Sequence, residues 1–311
     1  MITTVTLNPA IDKVCTTQGL MLGRVNRMES VTNIAGGKGV NVAKILRQYG
    51  YEAAALGFVA GYSGAFVADY LRGIGVATAF TQVGGETRVS TNIIGADGYT
   101  TEILEPGPEV TEAERAAFMA KFAEWLPNSE LIVLSGSVPG GVGVGIYAEL
   151  TKLVKESGKK AVLDTSGELL TNAVKAMPYM IKPNLQELEY LLGRRLKGLE
   201  AATEAIRGLV SGGIGHVLLS LGEKGVLYAK EGAGEVLYAK PPKLKALNTI
   251  GCGDSVVASF CISQLEGHDM EETLRRAVAI SATAASLPGI AESDKEKAEE
   301  LYNDIEVKPI T

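Results

Sequence analysis

From about residue 111 onward, short apolar runs alternate with stretches in which apolar residues recur every three or four positions. LIVLSG, AVLDTSG, YMIKPN and HVLLSLG have the length and composition of buried strands, and AERAAFMAKFAEWL, GIYAELTKLVKESG and LQELEYLLGR carry the helical period. Thr111 and Glu114 form a capping box before the first of these helices. Apolar strands separated by amphipathic helices predict a parallel sheet covered on both faces. Ligands of such sheets bind beyond the carboxyl ends of the strands. Ser135 to Pro139, Asp164 to Gly167, Lys182 to Glu187 and Ser220 to Gly225 are therefore expected along one rim.

The first hundred residues read differently. MITTVTLNPAID is expected to be a first strand, without the basic and apolar pattern of a leader. Residues 13–34 place Val14, Val25, Met28 and Val31 among polar neighbours, and residues 87–104 read as a hairpin around Ala96, Asp97 and Gly98. Together they predict a small antiparallel β layer, read here as a lid that excludes water from the rim. An edge sheet or a dimer surface is the competing reading, and one layer can serve as both. No repeat or low-complexity linker sets this layer apart, so residues 1–311 are expected to form a single domain with an inserted lid.

Composition narrows the partners. The 311 residues are 46% hydrophobic and 21% charged, with a formal charge of −6 and no Lys/Arg run, which argues against a nucleic-acid surface. No segment reaches the roughly 18 uninterrupted apolar residues of a membrane span. Cys15, Cys252 and Cys261 have no metal-like spacing, and a reduced, cytoplasmic setting is expected. His216 and His268 are the two histidines, and both are expected to be surface or turn residues.

Candidate chemistry concentrates at two glycine-rich sites. In NTIGCGDSVVASF, residues 248–260, Val256, Val257, Phe260, Ile262 and Leu265 mark a helix that Gly267 stops. Gly251 and Gly253 leave amides uncovered at its start, where anions are attracted by free N–H groups and the helix dipole. Asp254 falls in or near the first turn, either as a helix cap or as a base for a hydroxyl attacking phosphorus. In IAGGKGVNVAKILRQYG, residues 34–50, Gly36, Gly37 and Gly39 permit close backbone approach and Lys38 adds a positive charge, while Val42, Ile45 and Leu46 mark another helix. Taken alone, that segment reads first as a tight turn with a solvated lysine. Neither site completes a Walker A loop or a dinucleotide fingerprint.

The two segments in this order, with KPNLQE between them, resemble the paired signatures of the ribokinase-like (PfkB) sugar kinases. The likeness extends through TLNPAID, GRVNR, GETR, EPGPEVT, LSGSVPGG, DTSGELL and SLGEKG, and is nearest to the 1-phosphofructokinase and tagatose-6-phosphate kinase branch. The resemblance implies a three-layer αβα fold with a β lid, and an ATP- and Mg²⁺-dependent transfer of phosphate to a primary hydroxyl of a ketohexose monophosphate. Fructose 1-phosphate is the first expectation and tagatose 6-phosphate the alternative. A dinucleotide-binding oxidoreductase and a non-catalytic sugar-phosphate sensor are disfavoured by the missing fingerprint and by the intact Asp254.

On this resemblance Asp254 matches the catalytic base, and Gly251, Cys252 and Gly253 match the anion hole. Asn184 and Glu187 match a motif that organises Mg²⁺ through water, although the same pair reads as a helix cap and a first-turn acid. Asp12, Gly37 and Asn41 match positions that hold sugar hydroxyls, and Lys38 and Arg88 are the candidates for the substrate's own phosphate. Ser137 stands where kinases of free sugars often carry an acid, which favours a phosphorylated substrate. Lys182, Asn184, Ser220, Gly222 and Gly225 match positions beside ATP, and the adenine pocket is sought around Ala279 to Thr283, a run that reads equally as core. Two departures stand out. Asn248 replaces an Asp common in relatives, which puts monovalent-cation dependence in doubt, and Cys252 replaces Ala. A homodimer through the lid is a further expectation.

Overall fold

The computed structural model describes residues 1–96 and 99–310. Of the expected hairpin turn, Asp97 and Gly98 lie outside the described residues. The chain opens with β1 (Ile2–Thr6), crosses to β2 (Ala10–Thr17) and β3 (Ser30–Gly36), and returns through α1 (Lys38–Gln48), β4 (Ala53–Val59) and α2 (Gly61–Gly73). Short strands β5 (Ala77–Thr78) and β6 (Thr81–Gln82) precede β7 (Val89–Gly95) and β8 (Thr100–Leu104). Regular alternation then begins with α3 (Glu112–Trp125), β9 (Leu131–Ser135), α4 (Ile146–Glu156), β10 (Lys160–Asp164) and α5 (Gly167–Ala173). It continues through β11 (Met180–Ile181), α6 (Leu185–Leu192), α7 (Gly198–Ser211) and β12 (His216–Ser220). After β13 (Val226–Lys230) and β14 (Val236–Ala239) come α8 (Cys252–Glu266), α9 (Met270–Ser286), α10 (Lys295–Asp304) and β15 (Val307–Ile310).

The large sheet runs β15-β14-β13-β12-β11-β10-β9-β1-β4-β5, with β6 also paired to β4. Pairings from β12 to β5 are parallel, while β12 to β15 form an antiparallel extension at one edge. Side chains alternate between two cores, as the strand period of two requires. On one face Ile2, Val133, Val162 and Leu218 meet Val40 and Leu46 of α1, Phe260 of α8 and Val278 of α9. On the other, Val5, Leu134, Leu163 and Leu219 meet Phe118 of α3, Leu150 of α4, Leu188 of α6 and Ile206 of α7. This is the expected three-layer αβα arrangement.

The smaller sheet has the order β3-β2-β7-β8. Its outer pairings are antiparallel, but the central pair β2 and β7 is parallel, with Asp12 opposite Ser90 and Val14 opposite Asn92. The layer also begins at Ala10 rather than near residue 13, because TLNPAID is not one strand. Pro9, which has no N–H for a ladder, lies at the crossing. Thr111 and Glu114 do form the capping box of α3.

His216 departs from expectation. It is 4% exposed, wedged among Tyr179, Tyr228 and Phe260, with Nδ1 2.8 Å from the Tyr228 hydroxyl. Burial, with the charges of Lys230 and Lys160, pushes its pKa down to about 3, so it is a neutral core residue. Among the described residues no helix is long and apolar enough to cross a membrane.

Candidate active site

The rim and the small sheet enclose a cleft of about 530 Å³. Asp12, Gly37, Lys38, Asn41, Arg88, Ser137, Lys182, Asn184, Glu187, Ser220, Gly251, Gly253 and Asp254 all line it. Seven segments distant in sequence therefore converge on one volume, which neither glycine-rich segment could indicate alone.

Gly251 caps α8 in the left-handed region, with φ +84°, and a Cβ there would stand 2.9 Å from Ala291 N. Glycine is needed for both reasons. Asp254 is thus the third residue of the helix, and the cap position that its residue type suggests belongs to Gly251. Its carboxylate is 5% exposed and Oδ2 accepts a 2.8 Å hydrogen bond from Asn41 Nδ2. Burial and then the charge of Asp164 push the Asp254 carboxyl up to about 6, against the pull of Lys38, Asn41 and Lys182.

Helix α1 starts at Lys38 because Gly37, at φ +101°, turns the chain where a Cβ would meet Thr6 Cγ2 at 3.0 Å. Lys38 Nζ reaches Asp164 Oδ1 at 3.0 Å and Glu187 Oε1 at 4.0 Å, and Lys182 Nζ lies 3.4 Å from the same Asp164 oxygen. Burial pushes the Asp164 carboxyl up, but Lys182 and Lys38 together outweigh it and hold the group below the usual carboxylate range. Asn184 and Glu187 form a complete capping box on α6, Asn184 Oδ1 accepting from Glu187 N and Glu187 Oε2 from Asn184 N. Both alternatives for this pair can hold at once, since Glu187 Oε1 still faces Lys38 in the cleft.

The small sheet contributes a second polar wall. Asp12 is 7% exposed, and burial raises its carboxyl to about 6 despite the charges of Lys44 and Arg88. Arg88 donates from Nε to Asn8 O at 3.2 Å and from Nη1 to Glu105 O at 3.5 Å, which fixes the guanidinium at the foot of the small sheet. Asn8 Nδ2 donates to Ser137 Oγ at 3.2 Å and to Pro106 O at 3.0 Å. Thr6 Oγ1, Asn8 Oδ1 and Asn41 Oδ1 are buried in the cleft wall without a hydrogen-bond partner among the described residues. Buried polar atoms left so are costly, and a cluster of them facing one cleft suits a ligand rich in hydroxyls.

Several lining residues had no assigned role in the sequence reading, among them Thr6, Asn8, Ser90, Asn92, Glu102 and Thr165. A signal existed for two: Ser90 and Asn92 stand two apart, so they share a strand face, but only the pairing with β2 directs that face to the cleft. Conversely, Cys252, Gly222 and Gly225 do not line the cleft. The Cys252 thiol donates to Asn248 O at 3.8 Å, and burial with the nearby Asp254 charge pushes it up to about 11, which leaves it unreactive at neutral pH. Gly225, at φ +107°, lets the connection between β12 and β13 pass close to Ala239 O. Ala279, Ile280, Ala282 and Thr283 are buried where α9 packs on α8, so the core reading describes them; Ser281 Oγ donates to Cys252 O at 3.2 Å. Asn248 Nδ2 donates to Pro288 O and Gly289 O.

Among the described residues no group of three side chains has the arrangement of a protein-only metal site. Asp164 Oδ2 is buried and unpartnered but off the cleft lining, on which Asn184 and Glu187 present oxygen donors beside Lys38. That donor set fits a hard cation that keeps most of its waters and takes its remaining ligands from phosphates.

Known proteins share this architecture along its whole length. A Bacillus subtilis 1-phosphofructokinase is 35% identical over 288 residues, covering 92% of this chain and 93% of that protein. The Escherichia coli K12 1-phosphofructokinase is 32% identical, covering 99% and 98%. The crystal structure of a possible 1-phosphofructokinase from Thermotoga maritima superposes with a TM-score of 0.91 at 28% identity, covering 100% of this chain and 99% of that one. The family model described as pfkB family carbohydrate kinase matches residues 5–297, spanning both glycine-rich segments and the cleft between them, and the chain belongs to that family.

Proposed function

We propose that this protein is an ATP-dependent sugar-phosphate kinase that converts fructose 1-phosphate to fructose 1,6-bisphosphate. The observation that carries the reading is Asp254, a buried carboxylate with a raised pKa, held by Asn41 beside the uncovered amides at the start of α8. A carboxylate so placed is mostly ionised at neutral pH yet basic enough to take a proton from an attacking hydroxyl.

In this reading the sugar lies between lid and rim. Asp12 and Asn41 Oδ1 accept from its hydroxyls, Gly37 allows the ring to approach the backbone, and Arg88 clamps the phosphate it already carries. Its free primary hydroxyl points at Asp254. As the oxygen bonds to the γ-phosphorus of ATP, its proton passes to Asp254 and the bond to the bridging oxygen breaks, releasing ADP. Amides of Gly251, Cys252 and Gly253 receive the charge on the transferring group. Lys38 and Lys182, which share the Asp164 Oδ1 oxygen, meet the phosphates, and Lys38, next to Gly37 on the cleft wall, can meet either the sugar's phosphate or the phosphate chain of ATP. Asn184 and Glu187 would hold Mg²⁺ through water, and the bound ion would shield the charge of the phosphates. Ser220, on the cleft wall, meets the nucleotide, and Gly222 and Gly225 act from behind it by shaping the turn that follows.

The small sheet is the lid of this one kinase domain. Its outer strands and the loop between β2 and β3 expose Leu22, Val25, Val31 and Ile103, a surface suited to pairing two copies lid to lid. The names of the relatives favour fructose 1-phosphate over tagatose 6-phosphate. A coupled ADP-release assay with fructose 1-phosphate, tagatose 6-phosphate, fructose 6-phosphate and free ketoses tests the assignment. The highest kcat/KM is expected with fructose 1-phosphate. Turnover of none of them refutes the kinase reading, and preference for a free ketose refutes the phosphate roles of Arg88 and Lys38.

A further inference from the structure

Lys44 is 3% exposed, and among the described residues no carboxylate stands within ion-pair distance of its Nζ, although the charges of Asp12, Glu292 and Asp254 act on it from further away. Its Nζ donates to Ile290 O at 2.7 Å and lies 5.9 Å from the centre of the Tyr70 ring. Burying an ammonium without an ion pair is expensive, and an apolar residue of the same length would fill the space more cheaply. Its use becomes clear from what it holds.

Residues 288–291 form a loop whose four successive carbonyls are all tied down by side-chain donors. Asn248 Nδ2 reaches Pro288 O at 3.2 Å and Gly289 O at 3.3 Å, Lys44 takes Ile290 O, and Gln48 Nε2 takes Ala291 O at 3.0 Å. Gln48 Oε1 also accepts from Ser293 N at 2.9 Å. Ala291 adopts φ +50°, a left-handed conformation that costs a non-glycine residue on the order of 1 kcal/mol or more. That strained residue is the one packed against Gly251, so closely that a Cβ on Gly251 would collide with its amide. Asn41, Lys44 and Gln48 stand on α1 at spacings of three and four, a single helix face. One helix therefore grips the Asp254 carboxylate directly and the support beneath the neighbouring amides indirectly.

We propose that Lys44 is a positioning residue for phosphoryl transfer: its buried ammonium clamps the strained 288–291 loop under Gly251 and so keeps the first-turn amides of α8 aimed at the transferring group. The proposal rests on the kinase reading for its catalytic consequence, while the clamp itself is a property of the fold. A misplacement of about 1 Å in such a site costs on the order of 10²-fold in rate.

The test is Lys44→Met, which preserves length and removes the donor, measured against wild type by steady-state kinetics and by amide hydrogen exchange. A fall in kcat of about 10- to 100-fold is expected, with KM for ATP and sugar phosphate within about threefold. Faster exchange should be confined to residues 250–256 and 286–293. Unchanged kcat with unchanged exchange there overturns the proposal, as does a loss that appears only in KM for the sugar, which would make Lys44 a partner of Asp12. Gln48→Leu, at the exposed end of the same helix face, is the second variant should Lys44→Met fail to fold. It is expected to loosen the same two segments and lower kcat by about 3- to 10-fold, and no change in either measure refutes the clamp. Should wild type turn over none of the sugars tested, the kinase reading fails while the exchange pattern still decides the clamp.

Discussion

Replacing Asp254 by asparagine isolates the proton-accepting role of the carboxylate. Asparagine has nearly the same shape, and its carbonyl oxygen can still accept from Asn41 Nδ2, the contact that holds Asp254 at 2.8 Å. What disappears is the basic oxygen. With the carboxyl lifted to about 6 by burial and by Asp164, wild type is almost fully ionised at pH 7.5, so the whole base contribution is available there. Positioned general bases are worth about 10² to 10⁴ in rate, or roughly 3 to 5 kcal/mol of barrier. At saturating substrate and pH 7.5, Asp254→Asn should therefore lose kcat by that factor while its affinity for ATP, measured by calorimetry, stays within about threefold. The pH profile provides a sharper check. The active form is the carboxylate, so wild-type kcat should fall about tenfold for each pH step below about 6, as the proton returns. That limb should vanish in Asp254→Asn. A variant with kcat within about threefold of wild type, or with the acid limb intact, would refute the base assignment and leave Asp254 as a first-turn anion complementing the helix dipole.

Asp12→Asn should separate stability from binding. Its carboxyl, near 3.8 when exposed, is raised to about 6 in the fold, so the native state holds the proton more tightly. The penalty is absent below about 4, grows between 4 and 6, and stays on the order of 3 kcal/mol above, a net figure that already includes the opposing charges of Lys44 and Arg88. Thermal melts should show Asp12→Asn melting several degrees higher at pH 8 and equal to wild type near pH 3.5, with KM for the sugar raised; a lower melting temperature at pH 8 contradicts the burial argument. Gly251→Ala must accept both a strained φ of +84° and a contact of 2.9 Å with Ala291 N, so kcat should drop by about 10²-fold or the protein should lose more than about 1 kcal/mol in urea titration; a variant normal in both counts against the close approach.

The sequence is most readable where function and local geometry use the same residues. Gly251, Asp254 and Gly267 mark α8 because a left-handed start, a first-turn acid and a left-handed stop each leave a trace in residue type. Asn184 and Glu187 are legible for the same reason, as a capping box is a local motif. Pairings between distant strands leave no such trace. Nothing in residues 10–17 announces that β2 lies parallel to β7, more than seventy residues on, and the roles of Ser90 and Asn92 depend on that register. Lys44 is hidden for a related reason: on a helix a lysine reads as solvated, and its partner Ile290 lies 246 residues away. His216 is misread because polar residue type outweighs its place at the head of a strand that runs through the middle of the sheet, where Tyr179 and Phe260 close over it.

The connections between the two sheets limit how such a chain can diversify. Only residues 7–9 carry it from β1 into β2, and only Gly37 separates β3 from α1. Side chains alternate along β2, so one residue inserted at the first crossing would turn Asp12 outward and bring Ile11 or Lys13 to the sugar. One residue added at the second would rotate Asn41 and Lys44 away from Asp254 and Ile290 by about 100°. The loop between β2 and β3, residues 18–29, sets no such register and can lengthen without turning Asp12 or Asn41 out of the cleft. New partners and new assemblies can therefore be acquired at the lid tip without retuning the chemistry at its base.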